Sequence, residues 1–357
     1  MFQQHAKPQH NHELTRRGFL GGSALGALGL ASGSLTLPGP AAAEETPGEA
    51  RVSFIAGTDR REMVHRALQP FEKEIREGIR DRQVVVKTNF VADGTPLCAT
   101  HPDAVRGLLD FLAPLYEKKI ILAESSASSQ GIMKLLETYG YIPLKREYDI
   151  EFLELNEQPT SPFFILGKNL YPQKIQLISD FLDPKNYFIS ITRLKTHNVV
   201  VATLGLKNMV MGSPRKEYKG VNYKSIMHGP NNTVSPWYLN YNIFLVAQRV
   251  RPQFTVIDGF EGMEGNGPIE GTPVTHGVAL AGPDVLAVDR IGTELMGVDI
   301  ADVGYLNFCS NAGLGQLARK KIKIIGTEDP ANHIIKYRMN ENIGWQLKWK
   351  TDMVVKE

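Results

Sequence analysis

Cysteine is scarce in this chain, with only Cys98 and Cys309 among 357 residues. Two thiols hold neither an iron–sulfur cluster nor a four-thiolate zinc site within one chain. An excess of one charge is also missing. Lys+Arg number 40 and Asp+Glu 38, a formal net charge of +2. That is too balanced for nucleic-acid binding through a basic face. Even this small excess sits at the start, where residues 1–43 hold Lys7, Arg16 and Arg17 against Glu13. The remainder is neutral. Long hydrophobic runs are absent too. The stretch from Gly21 to Leu37 is broken by Gly and Ser and falls short of the ~20 strongly apolar residues that span a bilayer. No G-x-x-x-x-G-K-[ST] phosphate loop or G-x-G-x-x-G fingerprint lies between a strand and a helix. Ser125, Ser126, Ser128 and Ser129 do not form a G-x-S-x-G elbow, which argues against serine hydrolysis. What remains is 42% hydrophobic and 22% charged, the profile of a globular protein with a substantial core.

The N-terminus reads as an address. Thr15-Arg16-Arg17-Gly18-Phe19-Leu20 precedes the mild apolar stretch, and Ala41-Ala42-Ala43 precedes Glu44-Glu45. A charged start, a weakly apolar middle and an A-x-A end make an export signal. The paired arginines with Phe-Leu resemble the twin-arginine type, although Gly21 stands where a basic residue often follows. Residues 1–43 are therefore expected to be a signal peptide read by the twin-arginine translocase. The mature protein would be periplasmic or otherwise exported, with no stable membrane span after cleavage. Residues 44–50 read as a linker.

Beyond it, strand-like and helix-like segments alternate. Apolar, β-branched runs at 52–56, 84–86, 120–123, 188–191, 254–257, 274–280 and 323–325 read as strands. Helical periodicity covers 61–80, 131–139, 236–250 and 284–296, and Thr100 is placed to cap a helix running to about Lys118. The pattern predicts an α/β fold, a mainly parallel sheet with helices on both faces, in one lobe or two. The core domain would cover 51–330, with 331–357 as a C-terminal extension. Residues 151–176 give no clear pattern.

Ligands in open α/β sheets bind beyond the carboxyl ends of the strands. Strand 84–86 runs into Lys87-Thr88-Asn89, and strand 120–123 into Glu124-Ser125. Strand 188–191 leads to Lys195-Thr196-His197, and strand 254–257 to Asp258, Glu261 and Glu264. The segment 195–228 adds Lys207, Asn208 and His228 around a glycine-containing loop. Imidazole suits zinc, nickel or iron, and lysine suits carboxylate or phosphate. Each histidine read alone is better explained as a surface or hydrogen-bonded structural residue, because the spacing gives no compact ligand motif; the strand-end position is what makes a ligand role an equal alternative. Glu264-Gly265-Asn266-Gly267-Pro268 is a turn able to present backbone N–H groups to an anion, or simply a structural loop. The expected assignment makes Lys195, Lys207 and His101 catalytic and Lys87, Asn89, Asn208 and Asn266 substrate-binding. His197, His228 and Asp258 would be metal ligands.

These segments resemble the domain of unknown function 362 family. The resemblance rests on Val86-Lys87-Thr88-Asn89, Thr100-His101-Pro102, Leu194-Lys195-Thr196-His197, Leu206-Lys207-Asn208, His228, Asp258-Gly259, the run from Gly265 to Gly271, and Ala287-Val288-Asp289. It covers roughly residues 84–300. Many relatives carry a ferredoxin-like cluster segment, whose cysteines this chain lacks. A more distant likeness is to the lactate racemase family and its nickel pincer cofactor. There, a histidine, a cofactor-bearing lysine and a nickel-ligating histidine recur in the order His197, Lys207, His228; the glycine pair before the lysine is Gly205-Leu206 here.

Three functions fit. The first is an exported, metal-assisted enzyme acting on a small anionic organic substrate, with a divalent metal such as Ni, Zn or Fe. The second is a non-catalytic periplasmic protein that binds or matures a metal or anion. The third is an accessory subunit of an exported redox complex with a redox-protein partner.

Overall fold

A computed structural model describes residues 49–91, 95–167, 170–229 and 235–351. The expected signal peptide, and all of the expected linker before residue 49, lie outside the described residues. Ala50 opens the first strand rather than ending a linker.

Eleven strands are present among the described residues: β1 (Ala50–Ala56), β2 (Gln83–Lys87), β3 (Ile120–Glu124), β4 (Ile150–Glu154), β5 (Thr160–Leu166), β6 (Pro172–Ile178), β7 (Asn186–Thr196), β8 (Ala202–Thr203), β9 (Phe254–Asn266), β10 (Glu270–Gly282) and β11 (Ile322–Ile325). Nine form one sheet in the order β11-β1-β10-β9-β7-β2-β3-β4, with β8 paired to β7. The pairs β2–β3, β2–β7, β3–β4, β7–β9 and β1–β11 are parallel, and only β8 and β10 run against the rest. The protein is therefore α/β with a mostly parallel sheet.

The central strands are apolar on both faces because helices cover both. Val84 and Val86 pack into one core with Ile189, Ile191 and Phe254. Val85 and Phe188 face the other, with Leu206, Val210 and Leu286. A parallel sheet covered on both sides needs such near-continuous hydrophobic strands. The described residues cluster as one unit, and β5–β6 form a separate hairpin sheet within it. That hairpin is where the sequence showed no pattern.

Several expected boundaries shift. The helix after Thr100 is Pro102–Leu112, and it is His101 that caps it: Asp103 N–H donates to His101 Nδ1 at 3.1 Å. Thr100 instead donates through Oγ1 to the Ile191 carbonyl at 2.9 Å. The helical stretch 61–80 is broken by Pro70 into Arg60–Leu68 and Glu72–Ile79, as the missing N–H and fixed φ of proline require. Glu261 and Glu264 lie within β9, which runs to Asn266 and forms a long hairpin with β10. The segment after 330 packs onto the core. Tyr337 N–H donates to the Met296 carbonyl, and Tyr337 is buried. No helix among the described residues is long and apolar enough to cross a membrane.

Candidate functional site

The helix Gly205–Gly212 brings the site together. It follows β8 and lies against the carboxyl ends of β2 and β7. Its first amides are held by a carboxylate from another helix, Val285–Leu295. Gly205 N–H and Leu206 N–H donate to the two Asp289 oxygens at 2.8 and 3.0 Å. Burial pushes the Asp289 carboxyl up to about 7. Contact here is close enough to demand glycine, since a Cβ on Gly205 would stand 2.4 Å from Thr255 Cγ2. At the other end, a Cβ on Gly212 would stand 2.6 Å from Lys87 Cε. The helix is thus pressed onto the sheet at both ends, which fixes Lys207 and Asn208 over the strand edge.

A cavity of about 260 Å³ opens at this edge, lined among others by Lys87, Asn89, Glu124, His197, Lys207, Asn208, Lys224 and His228. Phe90, Met211, Pro268 and Ile269 supply apolar wall. Its floor is a satisfied polar network. Lys87 Nζ donates to Glu124 Oε1 at 2.5 Å, the Thr88 carbonyl at 2.6 Å and Asn208 Oδ1 at 3.2 Å. Glu124 also accepts from Ser125 N–H and Phe90 N–H, each at 2.7 Å. Asn89 Nδ2 donates to Asn208 Oδ1 at 3.0 Å, and Lys195 Nζ donates to Asn89 Oδ1. Burial lowers the pKa of Lys87.

Three nitrogen-bearing groups stand differently. Lys207 is buried, and among the described residues no hydrogen bond or ion pair involves its Nζ; burial alone lowers its pKa to about 7. His228 Nδ1 is buried without a hydrogen-bond partner, and burial followed by the Lys207 charge brings its pKa to about 4. His197 Nδ1 accepts from Val199 N–H at 2.9 Å and Val200 N–H at 3.3 Å. Its proton in the neutral ring therefore sits on Nε2, which becomes a donor on the cavity wall. Burial, then Lys207 and His228, hold His197 well below the usual histidine range. The loop that wraps its ring is strained at Val201, with φ +70, a conformation β-branched residues rarely adopt. Gln346 from the C-terminal segment braces this loop by accepting from Val201 N–H at 2.7 Å and donating to the His197 carbonyl at 2.8 Å.

Of the expected site residues, Lys87, Asn89, Asn208, His197, Lys207 and His228 line one cavity. Lys195 lies behind it, fully buried, with Nζ also donating to the Cys98 carbonyl at 2.9 Å; burial lowers its pKa to about 7. His101, Asp258 and Asn266 are not among the lining residues. His101 serves as a helix cap. Asp258 pairs with Arg60 at 3.2 Å and accepts from Phe260 N–H at 3.0 Å. Asn266 Oδ1 accepts from Glu341 N–H at 3.3 Å.

Of the three expected metal donors, His197 and His228 line the cavity and Asp258 does not. Among the described residues, no group of three or more His, Cys, Asp or Glu side chains is placed to hold a metal ion. His197 turns its lone pair to backbone amides, and a protonated Nε2 has none to offer a cation. The chemistry of this donor set fits neither a divalent metal nor a nickel centre held through His197 and His228.

Lys224 also lines the cavity, although no strand-end position or motif in the sequence points to it. Lys224 Nζ donates to the Met211 and Gly212 carbonyls at 3.0 and 3.1 Å and to Ser125 Oγ at 3.3 Å. A cation at the last carbonyls of a helix is favoured there. Burial, reinforced by the Lys87 charge, lowers its pKa to about 7. The one sequence signal was Asn222, which caps the short helix Tyr223–Ile226 carrying Lys224.

The profile described as Domain of unknown function (DUF362) matches residues 84–294. The chain belongs to the DUF362 family. The matched span contains every strand-end group of the cavity from Lys87 to His228. This DUF362 chain is 25% identical over 240 residues to a thylakoid-associated protein of Synechocystis sp., covering 66% of this chain and 70% of that protein. Among solved structures, it is similar to the lactate racemase apoprotein of Thermoanaerobacterium thermosaccharolyticum. The TM-score is 0.43 at 12% identity, over 66% of this chain and 54% of that one. A Thermotoga maritima protein gives a TM-score of 0.37 at 14% identity, over 72% and 59% of the respective chains. This chain thus spans little more than half the length of either solved structure, and likenesses at these scores say nothing about activity.

Proposed function

We propose that this DUF362 protein is an exported enzyme that binds a small anionic organic molecule in the cavity at the sheet edge and acts on it through Lys207. The observation that carries the reading is the Lys207 amine, buried and without a partner on a cavity wall. With a pKa of about 7 the amine is partly protonated at neutral pH, and an anionic ligand would stabilise its charged form where the fold supplies no partner. Beside it, the His197 Nε2–H is a second donor and His228 a neutral imidazole able to accept or pass a proton. A volume of about 260 Å³ and partly apolar walls suit an organic acid of modest size. Export rests on the sequence of residues 1–43 and is in keeping with a relative named for its association with the thylakoid.

Calorimetric titration of the full chain with a panel of small carboxylates and organic phosphates tests the reading. At least one should bind to the wild type, and Lys207→Met should weaken that binding tenfold or more. Equal affinity in the variant would remove Lys207 from the site. The non-catalytic alternative, an anion-holding or accessory protein, would show the same binding without conversion of any ligand that binds.

A further inference from the structure

The cations around the cavity are not equivalent. Lys87 donates to three acceptors, Lys224 to three and Lys195 to two. Each of these amines is committed to the protein. Among the described residues Lys207 makes no such bond, so of these lysine amines its nitrogen is the one that can turn a lone pair toward a ligand. It stands on the first turn of a helix whose N-terminal amides are pinned by Asp289, which fixes its position without occupying its nitrogen. Phe90, Met211, Pro268 and Ile269 line the same cavity and give it apolar wall.

From this arrangement we infer that Lys207 is a covalent nucleophile toward a carbonyl group, and that the anionic ligand is a small 2-oxo acid. The inference rests on the anion site proposed above and adds the chemical class of its ligand. The Lys207 Nζ lone pair forms a C–N bond to the carbonyl carbon, and the C=O π pair moves to oxygen. That oxygen then leaves as water with the two amine hydrogens, and an imine remains. No oxidant or reductant is consumed. The adjacent carboxylate is met by His197 Nε2–H, and His228 is the neutral base that relays the proton from nitrogen to the departing oxygen. Burial supports this step, because an amine with a pKa near 7 is substantially unprotonated at neutral pH, as Schiff-base lysines must be.

The test is borohydride trapping on the full chain. Wild-type protein is incubated with glyoxylate or 2-oxobutyrate, reduced, digested and mapped by mass spectrometry, with calorimetry run in parallel on unreduced samples. The expected result is a reduced adduct confined to the peptide bearing Lys207, absent in Lys207→Arg, with the folded state of the variant checked by circular dichroism. Calorimetric binding of an oxo acid with no adduct at Lys207 would overturn the imine and leave the anion site standing. An adduct mainly on Lys195 or Lys224 would overturn the assignment to Lys207. Neither binding nor adduct with any oxo acid, while another anion binds, would overturn the 2-oxo-acid class. If no anion binds at all, the anion site falls with it. The wild-type map decides between these outcomes even where the arginine variant fails to fold.

Discussion

Lys87 and Glu124, at the ends of the neighbouring parallel strands β2 and β3, form a buried ion pair at 2.5 Å with both side chains almost fully enclosed. Each partner is also hydrogen-bonded elsewhere, so neither charge depends on the other alone. This pair ties two strand ends to the helix that carries Lys207, because Lys87 also reaches Asn208 Oδ1.

Because the pair is almost fully enclosed, removing one partner should still be costly. Glu124→Ala leaves Lys87 charged in a dry site and frees the amides of Phe90 and Ser125. Breaking a buried pair in this way costs about 3–5 kcal/mol. Urea denaturation should show a loss of that order, with ligand binding impaired. A loss under about 1 kcal/mol, typical of exposed pairs, would show that water reaches this pair freely.

Gly205 is predicted to tolerate no side chain. A Cβ would meet Thr255 Cγ2 at 2.4 Å and Asp289 Oδ1 at 3.1 Å. Overpacking of this kind costs about 1–3 kcal/mol. Gly205→Ala should lower the thermal midpoint and weaken ligand binding together, since the helix that places Lys207 must move. A variant with unchanged midpoint and affinity would show that this contact is not tight.

The pH dependence follows from the lysines. Lys207 has a pKa near 7 when folded, against 10.5 when free. Between those values the unfolded chain binds the proton and the folded chain does not. Folding stability should therefore rise as pH increases from 7 toward 10.5, and this group should add no pH dependence below 7, where the full penalty of the protonated buried amine is present. The slope from one such group is at most about 1.4 kcal/mol per pH unit. Lys195 and Lys224 act in the same direction. Denaturant midpoints measured across pH 7–10 should climb more steeply in the wild type than in Lys207→Met. Parallel curves would remove Lys207 from this account.

Export can be checked directly. Intact-mass measurement of protein recovered outside the cytoplasm should show cleavage after Ala43. Replacing Arg16 and Arg17 by Lys should leave the protein inside, whereas undiminished export would indicate the general secretory route.

The strand cores, their parallel arrangement and the strand-end position of Lys87, Asn89 and His197 were legible in the sequence. Runs such as Val84–Val86 and Phe188–Ile191 can be stable only between two layers of helices, and that need is written in composition. The ends of the helical stretches 131–139 and 284–296 were equally legible, and the glycines that follow them, Gly140 and Gly297, adopt positive φ. What the local pattern does not encode is which distant groups meet. Glu124 becomes the partner of Lys87 because β2 and β3 pair in one register, with Lys87 opposite Ala123. Lys224 enters the site from a four-residue helix with no periodicity of its own. Only the folded loop 197–201 turns His197 Nδ1 onto backbone amides and makes a donor of a nitrogen that sequence reads as a metal ligand. Hydrophobic periodicity is a short-range property and sets the layers. Hydrogen-bond partners, protonation and the solitary Lys207 amine arise from contacts across long chain separations, which tertiary packing alone determines.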